Sequence, residues 1–222
     1  MFLVGIAGGS GSGKTTFAKK VMTQVDDPSV ALLHLDDYYH DVPPAELRIR
    51  DEVNFDHPAA FDWALLKEDL ECLKSGGQIE MPVYDYKLCR RSNETRQIGP
   101  CKTVLLEGIF TLWEAEVRAL FDLKIYLHVD ADIRFIRRLH RDVRERGRSL
   151  DNIIRQYYAT VRPMHHEFLE PTRQYADLVV GEETDIAAEV LAARVHQRVS
   201  APFALPGMKS AGRASVGRQG LA

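Results

Sequence analysis

The sequence predicts an α/β fold, a mainly parallel sheet flanked by helices, and three observations support this prediction. Short apolar runs alternate with longer stretches of helical periodicity, which is the pattern of successive βαβ units. Most of the apolar runs are continuous, as expected for strands that are covered on both faces. A glycine-rich segment lies between the first apolar run and the first helical pattern. The 222 residues therefore favour one large domain, or a domain with a small insertion.

The apolar runs predict five strands, which are Phe2–Ala7, Val30–Leu35, Thr103–Leu106, Lys124–Val129 and Asp177–Val180. The helical patterns between and after them predict five helices, which are Thr15–Val25, Phe61–Ser75, Ala131–Arg146, Leu150–Phe168 and Ile186–Val199. Gly147 is expected to end the third helix, and Asp185 to cap the last one.

Two regions depart from this alternation. Residues 79–100 have no helical period, and Ile79–Tyr84 alternates between apolar and polar residues, which predicts a small inserted β-hairpin. From about Ser200 the chain is rich in Pro, Gly, Ala and Ser, which predicts a disordered tail over residues 200–222. The folded domain is therefore expected over residues 1–199.

The composition is that of a soluble globular protein, with 45% hydrophobic and 27% charged residues. A net charge of −3 gives no general attraction to nucleic acids or anionic membranes. The three cysteines have no spacing typical of a disulfide framework or a zinc site. The eight histidines also lack zinc-ligand spacing, and His165-His166 is interpreted as an exposed helical pair. We therefore expect a cytoplasmic protein without a nucleic-acid or membrane partner.

The segment Gly8-Gly9-Ser10-Gly11-Ser12-Gly13-Lys14-Thr15 matches the P-loop pattern G-x-x-x-x-G-K-[ST]. Its glycines allow backbone N–H groups to turn towards a polyphosphate, and the following helix adds the partial positive charge of its N-terminus. Lys14 can reach the β- and γ-phosphates, and the Thr15 hydroxyl can ligate Mg²⁺. The sequence therefore predicts a P-loop nucleotide-binding protein, with ATP or GTP as phosphate donor and Mg²⁺ as cofactor.

The P-loop occurs in transferases, motor ATPases and GTPase switches, so other features have to separate these classes. The chain has no N-K-x-D tetrapeptide, which GTPases use to read guanine. It is also too short for the additional subdomains of a motor ATPase. Small size, one P-loop and an inserted hairpin favour a small-molecule kinase.

Two carboxylates follow predicted strands, where ligands bind in an open α/β sheet. Asp36 comes directly after the second strand and is a candidate catalytic base. Glu107 ends the third strand and is a candidate Mg²⁺ ligand of the Walker-B type. The alternative for both is a structural role, since Asp and Gly are common in turns.

An arginine-rich helix and loop, predicted as a lid over about residues 134–148, contains Arg134, Arg137, Arg138, Arg141, Arg144, Arg146 and Arg148. Helical spacing places several of these guanidinium groups on one face. Closure of such a lid over the phosphates would use bidentate contacts and stabilise transition-state charge. The alternative is a solvated face paired with the interleaved Asp132, Asp142 and Glu145.

These motifs and several others resemble those of the uridine kinase (uridine–cytidine kinase) family, and the resemblance covers roughly residues 1–195. The matching segments are Gly8–Thr16, Asp36–Tyr39, Asn54–Asp62, Pro82–Tyr86, Leu106–Ile109, Asp130–Asp132, Arg137-Arg138, Arg146–Arg148, Gln156-Tyr157, Val161–Pro163 and Glu170–Asp177. The segment 54–62 is far more specific than a P-loop.

The resemblance implies ATP-dependent phosphorylation of the ribose 5′-hydroxyl of uridine or cytidine, a pyrimidine salvage reaction, by a homotetramer. It implies that Asp36 accepts the hydroxyl proton, and that Thr15 and Glu107 anchor Mg²⁺ with Asp36 close by. The nucleotide would be bound by Gly8, Gly9, Ser10, Gly11, Ser12, Gly13, Lys14, Thr15, Thr16 and Gln156. The nucleoside would be bound by Asp36, Tyr39, Asp56, Tyr84, Cys89, Arg138 and Arg148, with Arg138 and Arg141 also catalytic in the lid.

Cys89 is the clear departure from this family, many of whose members have a histidine there that reads the polar edge of the pyrimidine. A thiol is a weaker donor and acceptor than an imidazole, so the O4 atom of uracil would lose its donor. The hypothesis is a preference for cytidine; the alternative is that another group replaces the histidine. Two other functions remain open: a P-loop kinase of another small alcohol, of the pantothenate or phosphoribulose type, and a catalytically inactive nucleotide-binding regulator.

Overall fold

A computed structural model describes residues 1–41, 43, 45–49, 52–85, 88 and 90–200 of the chain. Cys89 and residues 201–222 of the predicted tail lie outside the described residues. Ser200, where the tail was expected to begin, is the last residue of the final helix.

In chain order the strands are β1 (Phe2–Gly8), β2 (Val30–His34), β3 (Arg48–Ile49), β4 (Glu52–Val53), β5 (Ile79–Asp85), β6 (Arg90–Ile98), β7 (Thr103–Glu107), β8 (Leu123–Leu127) and β9 (Leu178–Val180). The α-helices are α1 (Lys14–Val25), α2 (Trp63–Lys74), α3 (Ala115–Arg118), α4 (Ala131–Arg144), α5 (Leu150–Gln156), α6 (Arg162–Met164) and α7 (Asp185–Ser200).

Five of these strands form one parallel sheet in the order β2-β7-β1-β8-β9. The predicted α/β class is thereby confirmed, and each predicted strand overlaps an observed one, with ends that differ by at most two residues. Because β2, β7 and β1 are adjacent and parallel, their carboxyl ends meet at one edge of the sheet. Ligands bind at such an edge in open α/β sheets.

The central strands β1 and β7 are buried on both faces. Successive side chains of a strand point in opposite directions, so each strand contributes to two apolar layers. Leu3 of β1 packs in one apolar layer with Leu66 of α2. Val4 packs in the other layer, with Phe17 of α1 and Leu191 of α7. Full burial of such a side chain stabilises the fold by about 1.5–3 kcal/mol, so both layers hold the site edge in place.

Strands β5 and β6 pair antiparallel and form the predicted hairpin. Two side chains fasten the hairpin to the end of β2. Asp37 accepts a hydrogen bond from the Tyr84 amide at 3.3 Å. Arg91 donates to the Tyr39 carbonyl at 2.9 Å and to Asp62 at 3.1 Å. Asp62 also caps α2 by accepting from the Leu65 amide, so one carboxylate links the hairpin to a helix.

The predicted helical stretch Leu150–Phe168 is helical throughout, but it is not one regular α-helix. The structure has α5, a π-helical segment (Tyr157–Val161), the short α6 and a second π-helical segment (His165–Leu169). Pro163 lies between the π-helical segments and has no N–H to donate to the preceding turn, so the regular helix is interrupted there. Asp185 lies inside the first turn of α7 rather than before it.

Within the part of the chain that the structure describes, no helix is both long and apolar enough to cross a membrane.

Candidate active site

A cavity of about 430 Å³ opens at the carboxyl ends of β1, β2 and β7. It brings together most of the predicted site residues, namely Ser10, Gly11, Gly13, Lys14, Thr15, Thr16, Asp36, Tyr39, Asp56, Tyr84, Glu107, Arg138, Arg141, Arg148 and Gln156. The remaining P-loop residues Gly8, Gly9 and Ser12 are not among its lining residues. Residues more than 100 positions apart in the sequence therefore share one cavity.

The backbone of the P-loop takes a conformation that favours glycine, as Gly11 and Gly13 show. Gly11 has φ +81°, and a Cβ atom there would lie 2.2 Å from the Arg134 carbonyl oxygen. Gly13 has φ +91° and immediately precedes α1, but a Cβ atom there would meet no atom within 4 Å. The helix N-terminus thus faces open space, which is the arrangement that binds phosphate through backbone N–H groups.

Lys14 is buried beside the loop that it belongs to, and its Nζ donates to the Gly9 carbonyl at 3.1 Å. Burial holds the pKa of Lys14 below its usual value, although the nearby carboxylates of Glu107 and Asp36 oppose this shift. The P-loop therefore holds the ammonium group of Lys14 at its own end of the cavity.

Glu107, the last residue of β7, forms the centre of a short hydrogen-bond network. Its Oε1 accepts from the Thr15 hydroxyl at 2.7 Å and lies 2.8 Å from Nδ1 of His34. Burial favours a higher pKa for Glu107, but the hydrogen bond to His34 and the charge of Lys14 outweigh it and lower the pKa. The hydrogen bond to Glu107 correspondingly raises the pKa of His34. Glu107 is therefore an ionised carboxylate.

These oxygen donors match the chemistry of a magnesium site. Mg²⁺ is usually held by one or two protein oxygen ligands together with substrate phosphates and water. The hydroxyl of Thr15 and the ionised carboxylate of Glu107 are in contact at the edge of the P-loop. Asp36 lies close enough to Glu107 and Lys14 for their charges to affect its pKa. The residues present therefore fit Mg²⁺.

Asp36 lies in the turn of 3₁₀-helix that follows β2, and it lines the cavity. Burial raises the pKa of Asp36, and the charge of Glu107 raises it further, while Lys14 and the arginines of the lid oppose the shift. A carboxylate with a raised pKa binds a proton more readily than a solvated one, which is the property a general base needs.

Aromatic rings form one wall of the cavity. Tyr39 stacks on Phe61 with 4.4 Å between ring centroids, and it lies 5.1 Å from Tyr84 and 5.2 Å from Phe55. The Tyr39 hydroxyl donates to the Phe55 carbonyl at 3.2 Å, which orients the ring. Packed aromatic rings with this geometry offer a rigid surface for a planar ligand.

Asp56 lies in the cavity beyond the aromatic wall, and a residue far along the chain orients it. The Thr160 hydroxyl donates to Asp56 Oδ2 at 2.8 Å, and 104 positions separate the two residues. Thr160 is buried in the first π-helical segment, which is a type of distortion common at functional sites. No motif in the sequence points to Thr160, because its role depends on this long-range contact.

Gln156 joins the lid to the cavity by accepting two hydrogen bonds at one oxygen. Its Oε1 lies 2.9 Å from Nη2 of Arg138 and 2.8 Å from Nη1 of Arg148. Arg138 also donates to the hydroxyl of Ser10 in the P-loop at 2.8 Å. The guanidinium group of Arg138 is therefore in contact with the P-loop.

Two other arginines of α4, Arg134 and Arg137, are held by partners outside the P-loop. Arg134 is buried behind the P-loop, where it donates to the Val129 carbonyl and contacts His165 at 3.2 Å. Arg137 lines the cavity but pairs with Glu182. The interpretation of His165 as part of an exposed pair is wrong, because only 11% of its side chain is exposed, whereas His166 is exposed. Burial and the charge of Arg134 lower the pKa of His165 to about 3.

The fold and this cavity together define a P-loop kinase. The sequence profile described as Phosphoribulokinase / Uridine kinase family matches residues 3–187. The chain is 46% identical over 195 residues to a uridine kinase of Halalkalibacterium halodurans, covering 87% of this chain and 92% of that one. It is 45% identical over 196 residues to a uridine kinase of Lactobacillus helveticus, covering 87% and 93%.

Among solved structures, the D-glycerate 3-kinase of Cryptococcus neoformans has the same fold, with a TM-score of 0.63 and 17% identity, covering 83% of this chain and 87% of that one. The chain belongs to the phosphoribulokinase/uridine kinase family, so the resemblance stated from the sequence motifs is confirmed. Membership of this kinase family implies a nucleotide as phosphate donor.

Proposed function

We propose that this protein transfers the γ-phosphate of ATP to the 5′-hydroxyl of uridine or cytidine. The observation that supports this most strongly is that one cavity is lined by the P-loop, by the aromatic residues Tyr39 and Tyr84, and by the carboxylates of Asp36 and Asp56. The uridine kinases of H. halodurans and L. helveticus, which are similar to the chain over 87% of its length, support the same activity.

The phosphate donor would lie along the P-loop. Backbone N–H groups at the start of α1 and the Lys14 ammonium would bind the β- and γ-phosphates. Thr15 and Glu107 would hold Mg²⁺ with Asp36 close by, and the bound ion would supply positive charge that neutralises the phosphates. Arg138 and Arg141 would donate to the transferring phosphoryl oxygens as charge develops on them.

In the chemical step, a carboxylate oxygen of Asp36 would take the proton of the 5′-hydroxyl. The 5′-oxygen forms a bond to the γ-phosphorus while the bond between that phosphorus and the β–γ bridging oxygen breaks. The products are a nucleoside 5′-monophosphate and the nucleoside diphosphate of the donor. The raised pKa of Asp36, caused first by burial, supports this role, because the group binds the transferred proton more tightly.

The acceptor would lie against the aromatic wall, with its base near Tyr39 and Tyr84. The carboxylate of Asp56 can accept hydrogen bonds from both vicinal ribose hydroxyls, with Arg148 on the opposite side. A deoxyribose would leave one acceptor unsatisfied, so we expect 2′-deoxynucleosides to be poorer substrates by about 10²-fold in kcat/KM.

Several finer expectations belong to the same proposal. GTP is an alternative phosphate donor, and the assembly is a cytoplasmic homotetramer by resemblance to the family. The kinase domain is residues 1–199, with a hairpin insertion over about 79–100 and a lid over about 134–148. Two other functions compete with the proposal: phosphorylation of another small alcohol, and nucleotide binding without catalysis.

A coupled assay that measures nucleoside diphosphate release over a panel of acceptors separates these functions. The panel contains uridine, cytidine, their 2′-deoxy forms, pantothenate, ribulose 5-phosphate and a no-acceptor control. We expect turnover only with the two ribonucleosides at physiological concentrations. Turnover with pantothenate or ribulose 5-phosphate alone would replace the proposed substrate, and binding of ATP without turnover on any acceptor would favour the regulator.

A further inference from the structure

Asp142 is a carboxylate of α4 with no exposed surface, and it lies behind the arginines of the lid. Four guanidinium groups approach it within 4 Å. The ion pairs are Arg141 Nη2 to Oδ1 at 2.9 Å, Arg138 Nε to Oδ2 at 3.6 Å, Arg148 Nη1 to Oδ2 at 3.6 Å and Arg146 Nη1 to Oδ1 at 3.7 Å. All four arginines line the cavity, whereas Asp142 is not among its lining residues.

The backbone of the same residue also holds the loop that follows α4. Gly147 has φ +62°, which turns the chain back, and the Arg148 amide then donates to the Asp142 carbonyl at 3.0 Å. Residue 142 therefore binds Arg148 twice, once through its backbone and once through its side chain. A side-chain substitution can remove the charge and leave the backbone hydrogen bond in place.

Four guanidinium groups this close together repel one another, and arginine does not lose its proton in proteins to relieve the repulsion. One buried carboxylate reduces this repulsion and draws each group to a fixed position. It also leaves the cluster with a net positive charge, so the cluster still attracts phosphate. Arginine positions that are set before the ligand arrives need no reorganisation during the reaction.

We propose that Asp142 is a positioning residue that holds Arg138, Arg141, Arg146 and Arg148 in the arrangement that binds the transferring phosphoryl group. It acts through the arginines and does not touch the substrate. Its removal would therefore disturb the geometry needed in the transition state more than the electrostatic attraction for phosphate in the ground state.

The test compares wild type, Asp142→Asn and a matched control, Asp132→Asn, which removes an exposed carboxylate from the first turn of the same helix. Turnover is measured with ATP and uridine, which rests on the proposed function. Binding of inorganic tripolyphosphate by calorimetry and the rate of trypsin cleavage after residues 141–148 do not depend on the nucleoside. A failure of the proposed function is thus seen as an inactive wild type and leaves the other two measurements interpretable.

For Asp142→Asn we expect kcat to fall by about 10²-fold, as small misplacements of catalytic groups do. Tripolyphosphate affinity should stay within about threefold of wild type or become tighter, because a negative charge has been removed. Trypsin should cleave the loop at least about tenfold faster, since the arginines are released. The Asp132→Asn control should match wild type in all three measurements.

Cleavage and turnover equal to those of the control would overturn the proposal, and so would a parallel loss of turnover and tripolyphosphate affinity. If Asp142→Asn does not fold, the variant Asp142→Glu takes its place in the comparison. This variant keeps the negative charge on a longer side chain. Wild-type protection from trypsin with kcat within tenfold of wild type would then support the role of the charge, and an unprotected loop would contradict it.

Discussion

The two ends of the active-site cavity are built in different ways. The phosphate end, where the nucleotide phosphates are proposed to bind, is the consecutive run of residues 8–15, from the end of β1 through the loop to the start of α1, and it would bind phosphate largely through backbone groups. The acceptor end, where the nucleoside is proposed to bind, is assembled from side chains on separate segments, which include Tyr39, Asp56 and Tyr84. A local segment can fix the geometry of a common ligand such as a polyphosphate. A specific ligand needs groups that only the tertiary fold brings together.

This difference predicts that substitutions at the two ends will have different effects on the kinetics. A change at the phosphate end should weaken the donor equally for every acceptor. A change at the acceptor end should alter the choice between nucleosides and leave the affinity for the donor unchanged. Asp36 is the proposed base, which takes a proton during the reaction and is not needed to bind the donor, so its substitution should affect the chemical step alone.

The largest effect is expected from Lys14→Ala. Lys14 meets phosphate charge in the ground state and more of it in the transition state, so both nucleotide affinity and turnover should fall, with kcat/KM lower by at least about 10³-fold. Steady-state kinetics with uridine and cytidine measure this, and Lys19→Ala, an exposed lysine of the same helix, is the control. Unchanged donor affinity and kcat would contradict the role of Lys14. A change in the uridine-to-cytidine ratio would show that the two ends are not separable.

Asp36→Asn should lower kcat by about 10²-fold or more, because general-base catalysis contributes roughly 10²–10⁴-fold. Affinity for ATP, measured by calorimetry without nucleoside, should stay near the wild-type value. Wild-type turnover in this variant would remove Asp36 from the mechanism. It would transfer the role to Asp37, the neighbouring carboxylate, which the structure places against the Tyr84 amide.

Prediction from sequence worked well for the sheet and the phosphate end, because both depend on local patterns. Continuous apolar runs identify buried strands, and the P-loop fixes strand, turn and helix in one segment. The same local reasoning predicted a helical stretch from Leu150, which the structure confirms, but it gave no sign of the two π-helical segments around Pro163, and it treated His165 as exposed. His165 was misjudged because Arg134, from another helix, packs against it.

The side chains that orient the site were also beyond sequence reasoning. Thr160 and Asp56 are ordinary residues in the sequence, and only the fold brings them to hydrogen-bond distance. Of the two interpretations of the arginine-rich segment, the ion pairs with Asp142 show a salt-bridged cluster, and the lid stays a prediction. Arg138 contacts the P-loop through Ser10 and also faces the buried Asp142.

A smaller effect is expected at Cys89, which belongs to the acceptor end by resemblance to the family. A thiol cannot replace an imidazole as donor to uracil O4, whereas the amino group of cytosine could donate to another acceptor, Asp85 being a candidate. An under-satisfied O4 costs about 1–3 kcal/mol. We therefore expect cytidine to exceed uridine in kcat/KM by roughly one to two orders of magnitude, and Cys89→His to narrow the difference. Equal values in the wild type, or no response to the substitution, would reject this hypothesis.

The smallest effect is expected from Thr160→Val. This variant also tests most directly whether the acceptor end can change without a change in donor binding. Valine has nearly the shape of threonine but no hydroxyl, so Asp56 loses the hydrogen bond at 2.8 Å that holds its Oδ2. A hydrogen bond to a charged group is worth about 1.5–3 kcal/mol. The carboxylate that would read the 2′-hydroxyl stays in place, so we expect the ribose preference to lose only about 1 kcal/mol of this, which corresponds to roughly fivefold. Discrimination between uridine and 2′-deoxyuridine should therefore fall about fivefold, while KM for ATP stays the same.

Thr172→Val provides the control, because Thr172 is also a buried threonine and its hydroxyl bonds only to the nearby Leu169 carbonyl among the described contacts. A general loss of stability would lower the melting temperature of both variants and leave the ribose discrimination unchanged. A change in discrimination confined to Thr160→Val would show that the ribose contact depends on a residue of the π-helical segment. An equal loss of discrimination in both variants, or a raised KM for ATP, would show instead that the acceptor end does not act independently of the rest of the cavity.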